Sequence, residues 1–369
     1  MAGQVRVAIF SPLWLVAFLL GAAHDTYSSP TTGGGGTLDG RNSLGTPAAP
    51  TVSVGVVTWN LAQSSPPAAD VEAVCKVVAE SEVAAICLQE VEDLKPRSKE
   101  GRRSRFLRRA LIGEMGKLGH SPVVCGRLGG IQQLVFVHDS ARVAIDGDSV
   151  VTWEVACGIG NVLHNKGAVG VRLVIHGVSC MLLGAHLAAH EKHVAQRNAD
   201  YDRVRRETAH ALQAAASDID LSLRDPASED VDLRSLADVV VFAGDLNYRL
   251  ELPRDEVQLA LTSAESTESY DSMLEYDQLI QARASGAAFS GFREGVIRFG
   301  PTFKFNKGQG VYDTSAKRRI PSWTDRVLFT SQHPGHVVLD RYESLEAVTH
   351  GDHRPVYAAL KIAAAQKKE

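Results

Sequence analysis

"DVVVFAGDLNYRL", residues Asp238 to Leu250, carries an unbroken apolar run from Val239 to Ala243 and then turns abruptly polar at Asp245 and Asn247. The run is too short for a buried helix and too continuous for a strand with one wet face, so it reads as a strand covered on both sides. A strand of that kind needs packed layers above and below it. Polar groups set directly at its end lie where a sheet edge opens to a ligand.

Outward from this strand the same grammar repeats. Val52 to Trp59 alternates with period two, and Asp70 is placed to cap a helix over "VEAVCKVVAES" before a buried strand from Ala84 to Leu88. A helix is expected over "RFLRRALIGEMGKLG" and a longer one over "EKHVAQRNADYDRVRRETAHALQAAA". Further strands fall in "IQQLVFVH", "KGAVGVRLVIHG", "VSCMLLGAHL", "DRVLFT", "HVVLDRYE" and "RPVYAALKI". Helices inserted among many strands, with a hairpin around Val169 to Leu183, favour an α/β fold of two packed sheets over one all-parallel sheet. No internal repeat is visible.

Polar residues recur at the ends of these runs: Asn60, Gln89 and Glu90, His186, Asp245 and Asn247, then Asp352 and His353 before the last strand. One such residue alone is an ordinary turn or cap. Their recurrence points to a rim converging on a ligand. The set is rich in carboxylate and amide oxygens and poor in cysteine, which suits a hard cation such as Mg²⁺. No G-x-S-x-G elbow and no P-loop occurs, so a water nucleophile attacking phosphorus fits best.

Composition sets limits. The chain has 369 residues, 44% hydrophobic, with a formal net charge of −4, so it can bury a large core and does not coat nucleic acid by charge alone. Cys75, Cys87, Cys125, Cys157 and Cys180 are odd in number and widely spaced, as free buried thiols are. Residues 1–27 contain the apolar stretch Val7 to Ala23, readable as a signal peptide or a short membrane anchor. Residues 28–50 form a Gly/Pro/Ser/Thr linker expected to be disordered, and the folded domain is expected over 51–365. The segment implies membrane association, on either the cytosolic face or the lumenal side. The basic run Lys95 to Arg109 reads as a solvated helix face, with membrane docking as the alternative.

"TWNLA", "ICLQEVE", "NKGAVGVRL", "AHLAAHEKHVAQRNADY", "FAGDLNYRL", "YDQL", "FSGFREGVIRFGPTFKFNKG", "YDTSAKRRIPSWTDRVL" and "GDHRPV" follow one another over residues 54–361. Together they resemble the inositol polyphosphate 5-phosphatases, of the endonuclease/exonuclease/phosphatase superfamily. The resemblance implies a DNase-like four-layer sandwich, two mixed β-sheets flanked by helices. It also implies Mg²⁺-dependent removal of a 5-phosphate from a phosphoinositide lipid or a soluble inositol polyphosphate, the alternatives being a nuclease of the same superfamily, which would need a basic duplex-binding face, or a catalytically impaired phosphoinositide-binding relative. A monomer that works at a membrane surface and does not bind nucleic acid is expected.

By the same resemblance, Glu90, Asn60 and Asp352 serve the metal. Asp245 positions or deprotonates the water, Asn247 steadies the phosphoryl oxygens, and His353, held by Asp325, contacts the scissile phosphate with His186 opposite. Lys304, Lys317 and Arg319 fall where the family binds the 4-phosphate, and Arg318 between them points to solvent. Lys166 either reaches the 1-phosphate or is a solvated loop lysine. Several positions depart from the pattern: Gly184-Ala185 replace a polar pair, His164 and Ala168 replace glycines, Gly351 replaces serine, and Phe303 replaces tyrosine.

Overall fold

In a computed structural model of the chain the described residues are 51–92, 100–158, 160, 164–216, 231–263 and 270–363. The expected signal or anchor, the linker, residues 95–99 of the basic run and the tail after 363 lie outside them. No helix among the described residues is long and apolar enough to cross a membrane.

The strands are β1 Thr51–Asn60, β2 Val83–Gln89, β3 His120–Leu128, β4 Ile131–His138, β5 Ile145–Ala156 and β6 Gly167–Ile175. They continue as β7 Val178–His186, β8 Val239–Asp245, β9 Arg293–Glu294, β10 Asp325–Ser331, β11 Val337–Ser344 and β12 Val356–Ala363. They form two six-stranded sheets, ordered β11-β12-β1-β2-β4-β3 and β5-β6-β7-β8-β10-β9. Each sheet is mixed because each contains a parallel pair, β1 with β2 and β7 with β8. A parallel pair cannot be closed by a tight turn and needs a crossover. Helices Ala68–Val78 and Val194–Ala216 are the helical parts of those two crossovers, which is why helices interrupt a strand-rich sequence.

Period-two alternation sorts the side chains into layers. Val54, Val56, Ala85, Val171, Val241 and Leu360 meet between the sheets. The opposite faces carry Val57, Trp59 and Ile86 against Val74 and Leu107, and Trp153, Met181 and Phe242 against Val204 and Leu212. Burying each large side chain contributes roughly 1.5–3 kcal/mol, so helix, sheet, sheet and helix cohere through three apolar interfaces.

The β6–β7 turn places His176 and Gly177 at φ 50° and 78°, the two positive φ values that a two-residue hairpin loop needs. All five cysteines are free. Asp70 does not cap its helix: Pro67 is the N-cap and Asp70 sits in the first turn, where its charge suits the helix N-terminus. Strands β3 and β5, absent from the sequence reading, are edge strands with irregular registers, at Pro122/Val124 and Asp146/Val151, and lack a clean alternation. Arg326 of the W-T-D-R run belongs to the scaffold. Fully buried, it is paired with Asp277 at 3.0 Å and Glu294 at 2.5 Å.

Candidate active site

Strand register lines up the polar ends. His186 is paired with Asp245, and Asp245 with Asp325, so β7, β8 and β10 present three functional groups side by side. Gly167, next to Lys166, pairs with His186 on the other flank. In the second sheet Asn60 pairs with Gln89, which sets Glu90 just beyond the β2 end. The two rims meet where Asn60 Nδ2 donates to Asp245 Oδ2 at 2.9 Å.

Asp245 is the hub. Its Oδ1 accepts the backbone N–H of Asn247 at 3.1 Å, and its Oδ2 lies 3.3 Å from His186 Nε2. Although burial opposes ionisation, the His186 contact and the charges of His353 and Lys166 hold Asp245 well below the usual carboxylate range. Burial and the neighbouring Lys166 keep His186 below its ordinary value, against the opposite pull of Asp245 and Glu90. Lys166 is no solvated loop lysine: its ammonium reaches His186 Nε2, and burial pushes it down to about 8 despite Asp245 and Glu90. Glu90 and Asn247 hold φ at 51° and 59°, a left-handed backbone that costs a non-glycine residue free energy and that the surrounding structure must enforce.

Across the site, His353 Nδ1 is 2.8 Å from Asp325 Oδ2. Thr302 and Thr324 hydroxyls donate to the same oxygen at 2.7 and 2.9 Å, and the Phe303 ring lies against His353, tilted by 39° with ring centroids 4.5 Å apart. Burial works against a charged imidazole, but Asp325 outweighs it and raises His353 to about 9. A raised cationic pKa adds stability that is complete below the ordinary 6.5 and is lost as pH rises through about 9. Asp325→Asn should therefore pull the His353 titration well down from about 9, since only Asp245 and Asp352 are then left to offset burial. Imidazole NMR signals followed against pH check this, and a midpoint still near 9 would sever the link.

The other expected residues fall on both sides of this centre. Asp352 is buried, next in the chain to Gly351, which lies against the Asn60 carbonyl, and its Oδ2 is bound by Lys304 Nζ. Lys317 is exposed and Arg319 partly so. Their loop is tied to the site by Asp313, which donates its N–H to the Lys304 carbonyl at 2.8 Å and accepts the Arg319 N–H at 2.9 Å. Arg318 is exposed and makes a surface ion pair with Asp255 at 2.6 Å.

Sequence reasoning missed Arg249, whose buried guanidinium bonds the Asn247 carbonyl at 3.1 Å and lies 4.4 Å over Phe303. Thr302, Thr324 and Asp313 were missed too, although all four lie inside the quoted motifs. The replaced polar position at Gly184 also has a structural reason. A Cβ there would meet Gln133 Oε1 at 2.7 Å, so the space belongs to a side chain of the opposite sheet.

The donor set fits a divalent cation. Asp352 Oδ1 and Asp325 Oδ1 are buried without a hydrogen-bond donor, and the Glu90 carboxylate accepts no hydrogen bond among the described residues. Asp245, Asp325 and His353 also bring ligand atoms to within 4.8 Å of one another, but His353 there is engaged by Asp325 as a cation, which leaves the Glu90 and Asp352 oxygens as the better donors.

Fold and site together define a DNase-like α/β sandwich with a carboxylate, amide and histidine centre between its sheets. The chain belongs to the family described as Endonuclease/Exonuclease/phosphatase family 2, whose model matches residues 57–359. It is 34% identical over 238 residues to Synaptojanin of Caenorhabditis elegans, covering 63% of this chain and 19% of that protein. It is 34% identical over 291 residues to the Type II inositol polyphosphate 5-phosphatase 15 of Arabidopsis thaliana, covering 70% and 26%. The chain thus spans about a fifth to a quarter of the length of these relatives. The inositol polyphosphate 5-phosphatase domain of SPsynaptojanin, solved with inositol (1,4)-bisphosphate and calcium, superimposes with TM-score 0.66 at 26% identity, covering 85% of this chain and 84% of that one. These matches bear out the resemblance drawn from the motifs.

Proposed function

We propose that this protein hydrolyses the 5-phosphate of phosphoinositides or soluble inositol polyphosphates, with water as nucleophile and Mg²⁺ as cofactor. The observation that carries this reading is the pair of buried groups at the centre: Asp245, bonded by Asn60 at 2.9 Å, and His353, held by Asp325 at 2.8 Å. Asp245 accepts a hydrogen bond from the water and aims its lone pair at phosphorus. His353 donates to a phosphoryl oxygen as the water oxygen bonds to phosphorus and the P–O bond to the inositol ring breaks, the proton given up by the water balancing the one taken by the departing inositol oxygen. Asn247, fixed through Leu187 and Arg249, has an amide N–H left for the same oxygens. Glu90, Asn60 and Asp352 would hold the cation, which when bound neutralises phosphoryl charge and acidifies water. The direct test is phosphate release from matched inositol phosphates with and without a 5-phosphate. Equal release from both, or from neither, would overturn the reading.

Lys304, Lys317 and Arg319 are proposed to hold the neighbouring 4-phosphate by charge-assisted hydrogen bonds. Phe303 offers no hydroxyl there. Lys317→Ala and Arg319→Ala should each lower kcat/KM for 4,5-bisphosphorylated substrates by roughly 10- to 100-fold, about 1.4–2.8 kcal/mol, and spare substrates lacking the 4-phosphate. Arg318→Ala should be near neutral, because an exposed ion pair contributes little. Equal losses on both substrate types would remove the 4-phosphate role.

Residues 1–27 are proposed to direct the chain to a membrane system. Deleting Met1 to Ala23 should release it from the membrane fraction or stop its secretion. Identical distribution of both chains would leave the segment without that role.

A further inference from the structure

The helix Arg102–Lys117 carries a face that the catalytic reading does not use. Arg102, Arg105, Phe106 and Arg109 follow the spacing that brings residues onto one side of a helix, and all four are exposed. Phe106 is 68% exposed, more than any other phenylalanine or tryptophan among the described residues. The arginines around it are unengaged: Arg102, Arg105 and Arg109 make no ion pair among the described residues. Their neighbours Arg103 and Arg108 are paired with Glu92 and Glu100. In a chain of net charge −4, unpaired cations ringing one bare aromatic side chain mark a local surface of opposite sign to the whole.

Beside Phe106 lies a groove of about 280 Å³ lined by Val71, Val91, Leu107, Ala110 and the segment Ser64 to Pro66, with Glu114 also in its lining. The Ser64 to Pro66 segment is the chain leaving Asn60. It is fixed by Arg103, which donates to the Gln63 carbonyl, and by the Gln63 N–H bond to Glu90 at 2.9 Å. The apolar groove and the catalytic rim therefore share one short segment.

We propose that this face docks on an anionic lipid bilayer, with Phe106 entering the headgroup boundary and Arg102, Arg105 and Arg109 meeting lipid phosphates. Charge complementarity selects the occupant. An amphipathic aromatic and arginine face gains both from burying apolar area and from anionic lipid, whereas a free inositol phosphate offers no apolar surface to cover Phe106. The inference deepens the hydrolase reading by placing its substrate in a membrane, and it rests on that reading for the word substrate alone.

The test is sedimentation of the full chain with vesicles of phosphatidylcholine alone and of phosphatidylcholine mixed with phosphatidylserine. The expected result is a salt-sensitive gain in binding on adding phosphatidylserine. Phe106→Ala and the double variant Arg105→Glu, Arg109→Glu should each lose about tenfold or more of that gain. Release of phosphate from a soluble inositol polyphosphate should stay as in the parent, which also shows that the variants fold. No gain with phosphatidylserine, or an equal gain in parent and variants, overturns the proposal. So does self-association without lipid that the same variants abolish, because a second copy would then be the occupant. Failure of the hydrolase reading shows separately, as absent phosphate release from every protein while the lipid-dependent differences persist.

Discussion

Asp245→Asn should lower kcat by on the order of 10² or more with the fold intact, and His353→Ala should do the same. The two groups act at opposite sides of the proposed reaction centre. In the first variant an amide keeps the size of the carboxylate but presents an N–H where an acceptor is needed. It would also set one donor against another, since Asn60 Nδ2 already points at that oxygen at 2.9 Å. The second removes the imidazolium that Asp325 holds charged. Because both side chains are buried at the interface of the two sheets, circular dichroism and thermal unfolding should accompany the kinetics. Near-normal turnover in either folded variant would strike that residue from the reaction.

Chelating divalent cations should lower phosphate release by on the order of 10³, and restoring Mg²⁺ should recover it. The reason lies in the local balance of charge. Glu90 and Asp245 lie 3.9 and 3.3 Å from the same His186 nitrogen, and Asp352 already engages the Lys304 ammonium, so a phosphate dianion at the proposed centre would meet anionic neighbours. Like charges at that range repel by several kcal/mol in a partly dry site. His353 and Lys166 offset only part of it. Full activity in excess chelator would mean that the chain's own cations suffice, and the assignment of Glu90, Asn60 and Asp352 would go. Binding of the cation itself, followed by calorimetry in the parent and in Glu90→Gln, supplies a readout apart from turnover.

The two expectations differ in how far they depend on the three-dimensional structure. Asp245 and Glu90 stand out in the linear chain because each ends a buried apolar run, and a polar residue there is visible without a neighbour. The charge state of His353 is not visible in that way. It follows from Asp325, Thr302, Thr324 and the Phe303 ring, brought together from separate segments. The same holds for Arg249, an unremarkable arginine in "DLNYRL" until Asn247 and Phe303 close around it. The substitution at Gly184 reads in sequence as a lost polar group; in the structure Gln133, from the other sheet, fills the space.

The sequence alone determined the sandwich class, the strands buried on both faces and the polar rim, because side-chain alternation and apolar run length are local properties of a strand. It missed edge strands β3 and β5, whose half-exposed residues need no strict pattern. Only the tertiary structure decided which rim residues touch. Register between strands distant in the chain sets His186 beside Asp245 and Asp245 beside Asp325, and packing of the two sheets then carries Asn60 to the same carboxylate. Those contacts are fixed by burying apolar faces on both sheets at once, and no window of sequence contains both faces.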